Sequence, residues 1–242
     1  MKSLGLIGGS GLDQWGSDPT ELQIETPWGS PSGPVCTFEQ GACRLLFLAR
    51  HGPTHSIAPH AVNYRANLWA LREAGAQTVI AVNAVGGITE GCQPGRVVLP
   101  DQLIDYTWGR PHSYGDEAGT PVSHIDFTAP FSPALVVELT RAAELASVPV
   151  IQGACVGVTQ GPRLETAAEI QRMRRDGCDL VGMTSMPEAA LARELGLEYA
   201  SLCVVANRAA GLDPVPLRMA DIEATLARAM VGVRKILVQY AS

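Results

Sequence analysis

The sequence predicts an α/β fold: a mixed, mostly parallel sheet flanked by helices in three layers, built as one domain over residues 1–242. Three observations predict it. Short apolar runs recur along the chain, and each passes into a turn rich in glycine or polar residues. Stretches with apolar residues at helical spacing alternate with those runs. Polar side chains gather where the runs end, which is where open α/β sheets bind their ligands.

Residues 4–7 form a first strand that runs into Gly8-Gly9-Ser10-Gly11, and residues 45–48 a second that runs into Ala49-Arg50-His51-Gly52. Val62, Ala66, Trp69 and Ala70 share one helical face, and Gly75 ends that helix. Residues 78–82 read as a buried strand leading to Asn83-Ala84-Val85-Gly86-Gly87. Residues 154–158 lead to Thr159-Gln160-Gly161-Pro162, followed by a helix over 166–175. Residues 180–183 lead to Thr184-Ser185, and a helix starts near Pro187, a residue favoured in a first helical turn. Residues 199–205 form a strand ending at Ala206-Asn207, and a last helix carries Ile222, Leu226, Met230, Val233 and Leu237 on one face.

Composition narrows the classes of function. A net charge of −6 with scattered arginines argues against a nucleic-acid footprint. No apolar run reaches membrane-spanning length, and the N-terminal apolar run passes straight into a glycine loop without the pattern of a signal peptide. Cys36, Cys43, Cys92, Cys155, Cys178 and Cys203 show no C-x-x-C spacing and read as reduced core thiols of a cytoplasmic protein.

Several strand ends can carry chemistry. The backbone N–H groups of the Gly8–Gly11 turn and the Ser10 hydroxyl can hold an anion, though the same glycines also suit a plain tight turn. A dinucleotide fingerprint fails, because counting from Gly9 the third glycine position is Gln14. Arg50 can bind an oxyanion through two N–H groups or sit in a surface ion pair. His55 and His60, in a Pro-rich stretch, lack metal-ligand spacing. Asn207 suits a turn as well as a ligand contact, and Glu165 can be an ordinary helix-opening charge. Residue types alone support an anion-binding α/β enzyme.

Seven ordered stretches carry a resemblance: IGGSGL at 7–12, ARHGPTHSIAPHAVNYRANLWAL at 49–71, NAVGGI at 83–88, QPGRVVLPDQLIDYT at 93–107, HIDFTAPF at 124–131, GPRLET at 161–166 and GMTSMPEAALARELGL at 182–197. Together they resemble the trimeric purine nucleoside phosphorylase and methylthioadenosine phosphorylase superfamily over nearly the whole chain. The resemblance implies a phosphate site made by Ser10, Arg50, His51, Asn83, Ala84 and Thr184. It implies that Met183 lies under the ribose, and that His55 and a neighbouring subunit's His124 border the sugar's 5′ end. A homotrimer or a dimer of trimers follows. The family's phosphorolysis uses phosphate as co-substrate and needs no cofactor or metal. Asn83 departs from the family, which commonly has threonine there.

The resemblance also bears on the base. The methylthioadenosine branch carries Asp-x-Asp where this chain has Asn207-Arg208-Ala209. The 6-oxopurine branch has Asn at the first of these positions and a glutamate where this chain has Glu165. The chemistry agrees: hypoxanthine N1–H suits a carboxylate, whereas adenine N1 is an acceptor and would face Glu165 unpaired. Asn207, Glu165 and His51 are therefore the expected catalytic residues. Leu164 replaces the family's usual aromatic residue, leaving apolar contact without a stacking ring. The loop before the last helix holds no histidine, and Leu217 or Met219 falls at the apolar position of the methylthio branch. The combination implies phosphorolysis of 5′-methylthioinosine to hypoxanthine and 5-methylthioribose 1-phosphate. Methylthioadenosine and inosine or guanosine phosphorolysis are the nearest alternatives. A non-catalytic nucleoside-binding protein is the alternative from another class.

Overall fold

The computed structural model describes residues 2–116, 123–214 and 218–242. Its strands are β1 (Lys2–Gly8), β2 (Thr20–Leu22), β3 (Val35–Gln40), β4 (Cys43–Ala49), β5 (Thr78–Gly87), β6 (Val97–Leu99), β7 (Gln102–Asp105), β8 (Val150–Gln152), β9 (Cys155–Val158), β10 (Leu180–Gly182) and β11 (Glu198–Arg208). Five α-helices are described: α1 (Tyr64–Glu73), α2 (Pro133–Leu145), α3 (Ala167–Asp176), α4 (Ser185–Glu194) and α5 (Met219–Ala241). The strands join in one mixed sheet of order β2-β3-β4-β1-β5-β10-β9-β7, with β11 on β5, β6 on β11 and β8 on β6. Parallel pairs outnumber antiparallel ones, as expected.

The central strands are buried on both faces, which is why they read as continuous apolar runs. On β1 and β5, Ile7, Val79 and Ala81 pack into a core that includes α1 and α4 side chains such as Leu68 and Leu191. Their alternate neighbours Leu6, Ile80 and Val82 pack into a second core with Leu139 of α2 and Met230 of α5. These two cores on opposite faces make the three layers. A smaller core under α3 gathers Ile170, Met173, Val181 and Ala209.

Helix ends follow local chemistry. Asn63 caps α1 by accepting from the Ala66 N–H, and Thr166 opens α3 with a full capping box to Glu169. Gly177, at φ 93°, ends α3. The first residues of α4 are irregular at Met186, so regular helix begins at the expected Pro187. The expected stripe on α5 is buried from Leu226 to Leu237, and Ile222 is half-buried at its start.

Two expected strand ends are corrected, since β11 also runs past the expected Val205 to Arg208. The strand at 78–82 does not end at Val82: β5 continues through Asn83 to Gly87. Its pairing with β1 stops at Ala81, but β11 runs alongside it to Gly87 and β10 joins at Gly86 and Gly87. Glycine is required at the end, since a Cβ on Gly87 would lie 1.9 Å from the Cys92 carbonyl oxygen. The register of β11 against β5 slips between Val205 and Asn207. Ala206 is thus the extra residue of a β-bulge, a device that re-aims side chains beside a site. Among the described residues the cysteines form no disulfide, and no helix is long and apolar enough to cross a membrane.

Candidate active site

An open cavity of about 410 Å³ lies where β1, β4, β5, β10 and β11 end. Ser10 reaches it from the loop after β1, Arg50 and His51 from the turn after β4, and Ala84 from β5. Met183 and Thr184 follow β10, and Asn207 stands just past the bulge of β11. Glu165 and Leu164 close one side and Met219 another. Most residues expected to act together thus line one cavity, although they come from all along the chain.

Arg50 is only 1% exposed, and its guanidinium is largely committed to the protein. Nε donates to Glu188 Oε2 at 2.8 Å, Nη2 to Glu188 Oε1 at 3.0 Å and Nη1 to the Val82 carbonyl at 3.2 Å. Tyr199 donates its hydroxyl to Glu188 Oε1 at 2.7 Å. Burial works against the Arg50 charge, but the Glu188 carboxylate outweighs it and holds the guanidinium protonated. Of five guanidinium N–H groups, three are used in these bonds, and two have no protein acceptor among the described residues. Gly9 makes room: a Cβ there would lie 2.6 Å from Arg50 Nη1.

His51 is buried, with Nδ1 at 2.8 Å from the Ile57 carbonyl oxygen. A carbonyl only accepts, so Nδ1 carries the hydrogen. Burial, and then the Arg50 charge, lower the imidazole pKa to about 4. His51 is therefore neutral near pH 7 and presents an Nε2 lone pair. His55 sits 4.8 Å away, ring centroid to ring centroid. Its Nδ1 pairs with Asp13 Oδ1 at 2.7 Å, and its Nε2 lies 3.4 Å from Ser10 Oγ.

Asn83 does not face the cavity. It is buried beneath it, donating to Ser201 Oγ at 2.7 Å and Ser185 Oγ at 3.2 Å. Its Oδ1 accepts from Thr184 Oγ1 at 3.2 Å, so its visible work is to orient Thr184. The amide can serve both serines and the threonine at once because it has donor and acceptor ends.

At the opposite end, Asn207 Nδ2 donates to the Arg208 carbonyl at 2.7 Å, leaving a second N–H. Arg208 turns away and donates to the carbonyl oxygens of Thr89 and Ile88. Ala209 is buried in the wall, and Leu164 and Met219 are exposed at the rim. Glu165 accepts from Thr159 Oγ1 at 2.6 Å. His124 is exposed and is not part of its own chain's cavity. Leu217 lies outside the described residues.

Sequence reasoning missed Glu188, Tyr199 and Arg110. Glu188 reads locally as a charge in a first helical turn, and only its completely buried position reveals the pairing with Arg50. Arg110 lies in a loop without periodicity. Its guanidinium donates to the carbonyl oxygens of Met183 at 2.8 Å, Met186 at 2.6 Å and Gln160 at 2.8 Å. It therefore ties the loop carrying Met183 and Thr184 to the loop leading to Glu165.

Comparison with known proteins places this arrangement. Residues 3–242 match the family model described as the phosphorylase superfamily. The chain is 51% identical to a probable S-methyl-5′-thioinosine phosphorylase of Xanthomonas campestris pv. campestris, over 99% of this chain and 97% of that one. It is 42% identical to S-methyl-5′-thioadenosine phosphorylase of Mycolicibacterium smegmatis, over 96% and 88%. The solved structure of methylthioadenosine phosphorylase from Schistosoma mansoni with adenine superimposes with a TM-score of 0.94 at 31% identity, covering 100% of this chain and 91% of that one. With a family match spanning the chain from its first strand to its last helix, this protein belongs to the phosphorylase superfamily.

Proposed function

We propose that this phosphorylase cleaves 5′-methylthioinosine with inorganic phosphate, giving hypoxanthine and 5-methylthioribose 1-phosphate. The observation that carries the base assignment is that Asn207 and Glu165 line the same cavity, with buried Ala209 where an adenine site would need an acceptor for the 6-amino group. The name of the 51% identical relative supports the same substrate.

Phosphate enters among Ser10, the two unused Arg50 N–H groups, His51, Ala84 and Thr184. The Nε2 lone pair of neutral His51 suits the hydroxyl of a protonated phosphate, which a second cation would not. One phosphate oxygen bonds to C1′ as the C1′–N9 bond breaks, and the electron pair leaves with the purine. Holding both reactants in line supplies much of the acceleration. An Asn207 N–H stabilises the charge that grows on the base at N7, and Glu165 accepts from N1–H. Met183 lies under the ribose. Met219 offers an apolar surface to the methylthio group, with His55, and His124 of a neighbouring subunit in a homotrimer, at the 5′ end. The reduced cysteines suit a cytoplasmic enzyme.

The test is a panel of methylthioinosine, methylthioadenosine and inosine, each with and without phosphate, with free base and sugar 1-phosphate measured. Phosphate-dependent turnover with methylthioinosine preferred is the expected result. Undiminished base release without phosphate would remove the phosphorolytic reading. A preference for methylthioadenosine would overturn the base assignment alone.

A further inference from the structure

Glu165 is a shared wall. It lines the cavity that holds Asn207 and also an adjoining cavity of about 520 Å³ that holds Thr159. Thr159 lines only the second of these two cavities, not the one that holds Asn207. Its hydroxyl has one hydrogen and two acceptors within reach: Glu165 Oε1 at 2.6 Å and the Gly182 carbonyl at 3.4 Å. The shorter, charge-assisted bond takes the hydrogen.

Thr159 is itself held firmly. Its N–H donates to the Gly182 carbonyl at 2.8 Å, and its carbonyl accepts from Arg110 Nη2 at 3.2 Å. It directly follows β9, so its side chain is set by the sheet and not by the loop that carries Glu165.

We infer that Thr159 is a specificity-determining positioning residue, whose hydroxyl fixes Glu165 as an acceptor for a base edge that carries N1–H. A donor on one carboxylate oxygen limits rotation of the group and fixes the direction of its lone pairs. The other oxygen is left to accept from the ligand. An ionised carboxylate matches a 6-oxopurine and leaves a 6-aminopurine N1 facing a second acceptor. Without the Thr159 donor, the Glu165 carboxylate can turn away from the base edge, and a 6-aminopurine no longer meets an acceptor held against its N1. Thr159 thus sharpens the choice of base without touching it. This inference rests on the proposed role of Glu165 toward N1.

The experiment measures the ratio of kcat/KM for methylthioinosine to that for methylthioadenosine in Thr159→Val, Thr159→Ala, Thr159→Ser and Glu165→Gln enzymes. Removing a hydrogen bond to a charged group should lower the ratio about ten- to a hundredfold in the valine variant. The serine variant keeps the hydroxyl and should retain a ratio within about threefold of the parent enzyme. The alanine variant reads the same loss should valine not fold. A purely structural role would slow both nucleosides equally and leave the ratio in place, which would overturn the inference. A collapse in Glu165→Gln with no change in the valine and alanine variants would overturn it while sparing the role of Glu165. An unchanged ratio in Glu165→Gln would overturn both.

Discussion

The two ends of the cavity are built differently. At the end proposed for phosphate, polar groups are buried and tied into closed networks: Arg50 to Glu188 and Tyr199, and Asn83 to Thr184, Ser185 and Ser201. At the end proposed for the base and 5′ group, Leu164 is 45% exposed and Met219 62% exposed, and among the described residues the Asn207 side chain bonds to the next residue's carbonyl. A small, strongly hydrated anion must be dehydrated by groups already aimed at it, and only core packing holds them still. Recognition of the base edge needs few hydrogen bonds, and a strand bulge with a loop glutamate can supply them. The end proposed for phosphate is thus part of the folding core, whereas the end proposed for the base is mounted on its rim.

The largest test of that contrast is Glu188→Ala. It leaves the buried Arg50 guanidinium without its carboxylate and should destabilise the fold by about 3–5 kcal/mol, read from denaturant unfolding. Combining Arg50→Met with Glu188→Leu should recover most of that stability while abolishing phosphate-dependent turnover. An unchanged unfolding midpoint in Glu188→Ala would mean the phosphate end is not part of the core.

Next in size is Asn207→Asp at the rim. It places a carboxylate where negative charge grows on the departing base. The kcat for methylthioinosine should fall about 10²–10³-fold, the usual loss for a transition-state donor. Thermal stability should change little, because Asn207 makes no buried network. A large fall in Tm together with intact kcat would reverse the contrast between the two ends.

The smallest effect comes from His51 and concerns pH. Its pKa lies near 4 in the folded protein, below the unfolded reference of about 6.5. Between these values the unfolded chain binds the extra proton, so stability rises with pH across the window. As pH falls from about 6.5 to 4, up to about 3 kcal/mol is lost. Unfolding curves at several pH values should show this slope in the parent protein and a shallower one in His51→Gln. Equal slopes would show that His51 is not buried as a neutral ring.

Much of the architecture was legible because its signals are local. Residues 4–7 and 45–48 alternate between two buried faces, and Pro187 opens the regular part of α4 as expected. Strands β2, β3, β6, β7 and β8 and helix α2 were not anticipated. Several of these are edge or three-residue strands whose pairing depends on a partner far along the chain. The end of β5 was misplaced because a polar Asn83 and two glycines look like a turn. Flanking strands convert them into ladder.

The sequence by itself determined the inventory of the site: an arginine and histidine after one strand, a serine after another, and an asparagine and a glutamate suited to a purine edge. Those residues follow strands whose periodicity and caps are local properties. Tertiary structure alone decided what each is free to do. Glu188, 138 residues from Arg50, occupies most of its guanidinium. Asn83 is turned into the core, where it orients Thr184 and does not line the cavity. The bulge at Ala206 brings Asn207 to the cavity, and Thr159 stands behind Glu165. Hydrogen bonds of this kind join groups far apart in the chain, and their partners exist only once the sheet has closed around them.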